Sequence, residues 1–321
     1  MWYLKLRMYI LIAVLFAIVY AVISMISFHL GITNFYFYLV LSIVIMLIQY
    51  MLGPKLVEWS MGVRYIKESE YPELHQAVRS LAQAAGIPAP KIGISDITIP
   101  NAFAFGRSVR DGRICVTRGI MELLNKEELR AVLGHEMSHI KNRDVLTITI
   151  LSVIPMILYR IAWQFLFFGN RRDRNNGSSA AMVGLAAFLF YFVTNLLVLY
   201  ASRIREYFAD RGSVDLGNNP AILASALYKL VYGSARMPKE ALKNAEGMKA
   251  FFINDPSRAL NELRDLRELD LDRSGTISSQ ELDALRNKNI KLNFGDKLLE
   301  VFSTHPNMLK RIKRLSDWRY A

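Results

Sequence analysis

The chain has 321 residues, 52% of them hydrophobic, and a formal net charge of +12. The hydrophobic fraction is higher than in an ordinary soluble domain and is concentrated in long segments, which indicates membrane spans. The basic residues flank these segments, so attraction to anionic lipid head groups explains the charge better than nucleic-acid binding does. The single cysteine, Cys115, excludes an intrachain disulfide, and its apolar neighbours predict a buried thiol.

The first apolar region covers residues 8–54, which contain no Asp, Glu, Lys or Arg. A polar turn at Gly31 divides it into two halves, and each is about as long as the roughly 20 residues that cross a bilayer. We therefore predict spans at 8–29 and 35–52, with an uncleaved anchor and a buried hairpin as the alternative. Lysine and arginine lie on both outer flanks and are absent from the turn, which predicts that both ends are cytoplasmic.

A second apolar pair covers residues 145–170 and 180–202. The first member contains Pro155, Arg160 and Gln164, and the loop between the two is basic. Full spanning would place that loop outside, against the positive-inside rule, so the pair is interpreted either as two spans or as a hairpin that dips into the membrane. In both cases the residues before and after the pair share one compartment.

Four regions follow from this division. Residues 1–54 form two transmembrane helices, 55–144 and 203–321 form two parts of a catalytic domain, and 145–202 form the second apolar pair. In the first catalytic part we expect a helix at 71–85, strands at 91–95, 102–109 and 113–116, and a helix from Asn125 to about Asn142. Asp111-Gly112 predicts a type I′ hairpin between the last two strands, and 203–232 is predicted to be helical.

The segment His135-Glu136-Met137-Ser138-His139 carries the chemistry. His135 and His139 are four residues apart and project from one face of a helix, where they supply two neutral nitrogen ligands. A catalytic zinc takes three protein ligands and keeps one position open. Glu136 is placed to act as general base towards water. A chance match on a solvated helix is the alternative, and the apolar neighbours Leu133 and Ile140 argue against it.

The third ligand is sought after the last apolar segment, where Glu206 and Asp210 are four residues apart on one helix face. Glu206 could bind zinc while Asp210 accepts a hydrogen bond from a ligand imidazole and fixes its tautomer. An exposed acidic pair interleaved with arginines is the alternative.

These motifs resemble an HtpX-type membrane zinc metalloprotease, a relative of the CAAX prenyl proteases. The likeness is carried by Asn101-Ala102-Phe103-Ala104, by residues 132–140, by 202–210, and by His305-Pro306 followed by Arg311-Ile312. The resemblance implies zinc ligands at His135, His139 and Glu206, with Glu136 as the base. It also implies a substrate-binding edge strand at Asn101, Ala102 and Phe103, where extended peptide would add as a further strand.

The resemblance further places His305 near the active site. There it could donate a hydrogen bond to the oxyanion or fill the fourth zinc position; the alternative is that it caps the helix whose first turn holds Pro306. Tyr207 and Arg203 are lesser candidates for the oxyanion.

Residues 270–281 have the spacing of an EF-hand calcium loop, which the resemblance does not predict. Gly275 occupies the sixth position and Ile277 the eighth. The oxygen donors would be Asp270, Asp272, Ser274, Thr276, Ser278 and Glu281. A polar turn between two helices is the alternative. If the loop binds calcium, bracing of residues 256–293 is the first hypothesis and calcium-gated activity the second.

The sequence thus predicts a mostly α membrane protein with four apolar segments and a cytoplasmic α+β zincin domain of the gluzincin type. We expect a zinc endopeptidase of the cell membrane that cleaves membrane or misfolded proteins in quality control, with possible partners limited to protein substrates, lipid, Zn²⁺ and Ca²⁺. A CAAX-type prenyl protease and a calcium-binding membrane scaffold without proteolysis are the alternatives. The zinc site is expected near the membrane surface, because His139 and Glu206 lie close to apolar segments along the chain.

Overall fold

The computed structural model describes residues 51–144, 177–238, 259–288 and 294–318, together with residue 253 and scattered residues between 147 and 166. The predicted span at 8–29, nearly all of 35–52 and most of 145–170 lie outside the described residues. The chain divides into two compact units, one from Met1–Leu52 and Leu146–Ile204 and the other from Gly53–Val145 and Arg205–Ala321.

The described chain is mostly helical, as predicted, with one small sheet. Residues 51–60 are helical and precede the first strand. The strands are β1 Arg64–Tyr65, β2 Lys91–Ser95, β3 Ala102–Phe105 and β4 Arg113–Thr117. The helices are α1 Pro72–Ala85, α2 Arg118–Leu123, α3 Lys126–Lys141, α4 Gly177–Asp215, α5 Pro220–Ala235, α6 Ala259–Leu266, α7 Ser279–Arg286, α8 Phe294–Val301 and α9 Met308–Ser316.

The sheet has the strand order β1-β2-β4-β3, so β3 lies at an edge. β2 and β4 are parallel, with Ile92 opposite Ile114, and β3 runs antiparallel to β4, with Ala104 opposite Ile114. The central strand β4 is buried along its whole length, because helices and neighbouring strands cover it. Cys115 lies in this strand, fully buried as predicted, and burial raises the pKa of its thiol to about 12.

β3 and β4 form the predicted antiparallel hairpin, but the predicted type I′ turn at Asp111-Gly112 is wrong. β3 ends at Phe105 rather than near residue 109, and Val109–Asp111 form a short 3₁₀ turn. Gly112 has φ −66° and ψ 140°, which is extended backbone and not the positive φ of a type I′ turn. The cause is a pair of ion pairs: Arg107 and Arg113 both bind the Asp111 carboxylate, at 2.8 and 2.9 Å. These contacts stabilise a longer loop between β3 and β4.

The segment 203–232, predicted to be helical, is interrupted. α4 ends at Asp215, Gly217 follows with φ +87°, and α5 begins at Pro220 with Asn219 as its N-cap. Glycine tolerates the left-handed backbone after a helix, and proline is preferred in a first turn, so the interruption has local causes.

Helix α5 forms the centre of the helical layer. It is buried on most of its surface and packs against α3, α6 and α9. α1 packs on the other side of α3, and α3 also contacts β3. The helix that carries the histidine motif is therefore held between the sheet and the helical layer.

Among the described residues, one helix is long and apolar enough to cross a membrane, covering Ala181–Asp215 within α4. Its most apolar window has a mean hydropathy of 2.2 and is 28% buried. The predicted segment 180–202 falls within α4, whereas the number of spans in the whole chain stays a prediction.

Candidate metal centre

Helix α3 places the two histidines of the motif together. It begins with the predicted capping box, in which Asn125 and Glu128 bind each other's backbone N–H groups. Leu133 and Met137 are fully buried on its apolar side, so the rotation of the helix is fixed. His135 Nε2 and His139 Nε2 lie 3.1 Å apart and converge on one point.

Glu206 comes from α4 and meets both imidazoles. Its Oε2 atom lies 3.5 Å from His135 Nε2, and its Oε1 atom lies 3.5 Å from His139 Nε2. The three side chains predicted as metal ligands therefore converge. The alternative of an exposed acidic pair is wrong, because Glu206 and Asp210 are both buried.

Two glycines allow α3 and the end of α4 to approach this closely. A Cβ added at Gly134 would lie 2.3 Å from Asn218 Nδ2, and one at Gly212 would lie 2.0 Å from Ser138 Oγ. Both distances are shorter than any van der Waals contact, so only glycine fits at these positions. Ser213 Oγ donates to the carbonyl of Ala131 at 2.6 Å and ties the crossing together.

Glu136 lies beside the two histidines, with its carboxylate oxygen and their ring nitrogens within 4.8 Å of one another. It is 3% exposed. Burial raises the pKa of the Glu136 carboxyl above its usual range, although the two histidines oppose that shift. The backbone of Ala104, in edge strand β3, is close enough to this carboxylate to favour its charged form. A buried carboxylate with a raised pKa is suited to accepting a proton and returning it.

His135 is oriented by Asp210, as predicted. His135 Nδ1 lies 3.0 Å from Asp210 Oδ1, which leaves Nε2 directed towards Glu206. Burial lowers the pKa of His135, but the contacts with Asp210 and Glu206 outweigh burial and raise it to about 9.

Arg311, on α9, completes this side of the site and received no role from the sequence. It is fully buried and binds Asp210 through two nitrogens, at 2.7 and 2.9 Å. Its Nη1 atom lies 3.2 Å from Glu206 Oε2 and donates to the carbonyl of Ile253 at 2.9 Å. The guanidinium therefore neutralises part of the charge of two buried carboxylates.

His139 has a corresponding carboxylate, Asp144, which sequence reasoning also missed. His139 Nδ1 lies 2.6 Å from Asp144 Oδ2, and Arg205 Nε lies 3.0 Å from Asp144 Oδ1. Burial disfavours the charged form of Asp144, but Arg205 and His139 hold its pKa below the usual range. The available signal was an aspartate just beyond the end of the histidine helix.

The donor set fits a divalent cation. Four buried carboxylates surround the imidazoles, from Glu136, Asp144, Glu206 and Asp210, and Arg205 and Arg311 supply two positive charges. With both imidazoles neutral, as they are when they bind a metal, two negative charges are left over, which a dication would balance. Glu206 Oε2 is buried and accepts no hydrogen bond from the described residues. Two imidazoles and one carboxylate are the ligands of one class of catalytic zinc site.

His305 is buried close enough to Glu206 to interact with its charge. Thr304 Oγ1 lies 2.9 Å from His305 Nδ1. The alternative that His305 caps a helix is wrong, because the N-cap of α9 is Asn307, whose side chain accepts from the N–H of Leu309. The lesser oxyanion candidates have other contacts: Arg203 lies over the ring of Tyr200, and Arg314 over that of Tyr207.

The predicted substrate strand is only partly as expected. Ala102 and Phe103 lie in β3, but Asn101 precedes the strand. The Asn101 side chain accepts a hydrogen bond from the N–H of Ile253 at 3.0 Å. Phe103 is 4% exposed and packs in the small apolar cluster with Met61, so its ring faces the core. Among the described strands, β3 pairs with β4 alone and lies at the end of the sheet.

The predicted EF-hand loop lies between α6 and α7. Carboxylate oxygens of Asp270, Asp272 and Glu281 lie within 4.8 Å of one another. Gly275 has φ +77°, and Glu281 accepts from the N–H of Leu271 at 2.7 Å. The side chains of Ser274 and Thr276 face each other, 2.9 Å apart. The loop is flanked by α6, which ends at Leu266, and by α7, which begins at Ser279.

Comparison with known proteins gives concordant results. The family model of peptidase family M48 matches residues 68–319. "Protease HtpX homolog" of Methanothermobacter thermautotrophicus is 50% identical over 230 residues, which is 72% of this chain and 86% of the relative. "Protease HtpX homolog" of Moorella thermoacetica is 36% identical over 282 residues, 86% of this chain and 82% of the relative.

Among solved structures, the crystal structure of S. mikatae Ste24p matches with a TM-score of 0.51 and 15% identity, covering 98% of this chain and 66% of that one. At this identity the likeness concerns the fold alone. The fold and the sequence relatives together define a peptidase. The chain belongs to peptidase family M48, and the resemblance to HtpX-type proteases is confirmed.

Proposed function

We propose that the protein is a membrane-bound zinc endopeptidase. The observation that carries this proposal is the convergence of His135, His139 and Glu206, from two separate helices, next to the buried carboxylate of Glu136. His135, His139 and Glu206 would hold the zinc, and when bound it would supply a Lewis acid that polarises the scissile carbonyl.

In this proposal Glu136 is the general base. Its carboxylate takes a proton from the attacking water and then passes it to the leaving amine. Asp210 holds the Nδ1 proton of His135, so that Nε2 keeps the lone pair needed for coordination. His305 would donate a hydrogen bond to the oxyanion through Nε2, because its Nδ1 contacts Thr304. A fourth-ligand role for His305 is the competing hypothesis.

The substrate is proposed to be an extended segment of a membrane or misfolded protein. The proposal is supported by the position of β3 at the edge of the described sheet and by the interaction of the Ala104 backbone, in this strand, with the carboxylate of Glu136. Backbone pairing along such an edge gives affinity with little sequence preference, which suits a quality-control protease. A multi-pass location with the catalytic domain in the cytoplasm remains the proposal that the charge distribution supports.

The test uses the full chain in detergent, with a model membrane protein as substrate. Glu136→Gln should retain stoichiometric zinc and lose activity by about 10²- to 10⁴-fold, the range of general-base contributions. Glu127→Gln, at an exposed position of the same helix, is the matched control and should leave both unchanged. Equal cleavage by Glu136→Gln and wild type, or wild-type protein without zinc, would refute the proposal.

We also propose that the loop at 270–281 binds calcium. The proposal is supported by the clustered carboxylates and the left-handed Gly275 at the sixth position. Bracing is the favoured role, because Tyr228 of α5 donates to Asp270, and Arg286 at the end of α7 donates to the carbonyl of Ser316.

Calorimetric titration with calcium tests this second proposal. Wild type should release heat that Glu281→Ala lacks, since the twelfth loop position supplies the bidentate ligand. Asp283→Asn, at an exposed position of α7, is the matched control and should titrate like wild type. Identical heats for wild type and Glu281→Ala would exclude the loop as a calcium site.

A further inference from the structure

Asp144 and Arg205 form a buried ion pair that the mechanism above does not use. Asp144 is 5% exposed, and its two oxygens have different partners, His139 Nδ1 at 2.6 Å and Arg205 Nε at 3.0 Å. A buried ion pair on its own adds little stability compared with apolar packing, because both charges lose their hydration. The pair therefore requires an explanation other than stability.

The backbone after helix α3 positions Asp144 next to the imidazole of His139. Helix α3 ends at Lys141, and Arg143 then adopts φ +56°, a left-handed conformation that is uncommon for a residue with a side chain. The N–H of Arg143 donates to the carbonyl of Ile140 at 3.0 Å. After this turn Asp144 contacts the imidazole at Nδ1, whereas Nε2 is the nitrogen that lies near His135 and Glu206.

Arg205 connects helix α4 to Asp144. It directly precedes Glu206 on α4, so its position and that of the proposed third ligand are set by the same helical turn. Asp144 follows α3, which carries the other two ligands. The ion pair thus connects the two segments whose relative position decides whether the three donors converge.

We propose that Asp144 and Arg205 are positioning residues for the metal centre. Asp144 holds the Nδ1 proton of His139 and so fixes the tautomer and ring orientation in which Nε2 faces the metal, and Arg205 fixes Asp144 while aligning the turn that presents Glu206. With Asp210 and Arg311 on His135, each ligand imidazole then has its own carboxylate and each carboxylate its own arginine. This inference rests on the proposed zinc function.

The experiment measures zinc affinity of the full chain in detergent by competition with a chromogenic chelator. Asp144→Asn should bind zinc about 10- to 100-fold more weakly, which is the usual effect of losing a carboxylate that orients a ligand histidine. Asp215→Asn is the matched control, because Asp215 also pairs with an arginine on α4, Arg211, at 2.8 Å but contacts no ligand. This control should keep the wild-type affinity.

Thermal unfolding with and without zinc separates positioning from a structural role. Substitution of a positioning residue reduces the rise in the unfolding midpoint that zinc produces. Substitution of a purely structural residue lowers the unfolding midpoint of the zinc-free protein and leaves the zinc affinity unchanged. If Asp144→Asn does not fold, Arg205→Lys keeps the charge and should still weaken zinc binding by about 10-fold.

If Asp144→Asn binds zinc as tightly as wild type, this inference is overturned while the proposed function stands. The same holds for Arg205→Lys if only that variant folds. Absence of zinc from the wild-type protein overturns the proposed function itself.

Discussion

Replacing Gly212 by alanine tests the helix crossing that assembles the site. The added Cβ would lie 2.0 Å from Ser138 Oγ and 2.5 Å from Ser138 Cβ. Carbon atoms in contact prefer about 3.5–4.0 Å, so the two helices must separate by about 1 Å. Overpacking of this kind costs about 1–3 kcal/mol, against a gain of about 1 kcal/mol for alanine over glycine in a helix. We expect a net loss of up to about 2 kcal/mol in the free energy of unfolding.

The same separation should weaken zinc binding. His139 and Glu206 come from the two helices that move apart, and zinc–ligand distances tolerate only about 0.2 Å of deviation. Gly212→Ala should therefore bind zinc at least about 10-fold more weakly, as a misplaced ligand does. Chelator competition gives the affinity, and denaturant unfolding in detergent gives the stability.

A control variant and a rescue variant test the reason given for this prediction. Ser80 is at an exposed position of helix α1, so Ser80→Ala should be neutral or slightly stabilising. Adding Ser138→Gly to Gly212→Ala leaves Ser138 Cα, 3.8 Å away, as the nearest atom of that residue, and should restore much of the zinc affinity. If Gly212→Ala is as stable as Ser80→Ala and binds zinc normally, the reasoning about the crossing is refuted.

Two further predictions concern stability. Asn125→Ala removes the N-cap of α3 and should cost about 1 kcal/mol in denaturant unfolding, whereas an unchanged midpoint would show that tertiary packing alone sets the start of the helix. Asp111 has a pKa below its ordinary value of 3.8: burial opposes ionisation, but hydrogen bonds from Arg107 outweigh it. Because its folded pKa is depressed, Asp111 contributes stability above about pH 4 that disappears as pH falls through the folded pKa. Asp111→Asn should therefore show a smaller loss of stability over that acidic range than wild type, and parallel pH profiles would contradict this.

Local patterns in the sequence predicted the local parts of the site. The capping box at Asn125 and the four-residue spacing of the histidines depend only on neighbouring residues, and the structure has both. The break between α4 and α5 was missed although its signals, Gly217 and Pro220, are in the sequence.

Other errors have long-range or side-chain causes. The Asp111-Gly112 pattern favours a type I′ turn until two arginines bind the aspartate, and nothing in the dipeptide reports those contacts. Asp144 could have been found from its position after the helix, but its pairing with Arg205 depends on how two distant segments cross. The glycines at this crossing look like poor helix formers in the sequence, and only the structure shows why alanine would not fit.

Arg311 shows why the C-terminal helix belongs to the metal centre rather than merely covering it. A fully buried guanidinium is costly unless its charge and donors are satisfied, and here Asp210, Glu206 and the carbonyl of Ile253 satisfy them. Equally, Asp210 and Glu206 would be uncompensated buried carboxylates without it. Docking of α9 and formation of the ligand set therefore depend on each other. Because α7 is joined to α9 through Arg286 and Lys313, a ligand bound between α6 and α7 would act on the same helix that carries Arg311.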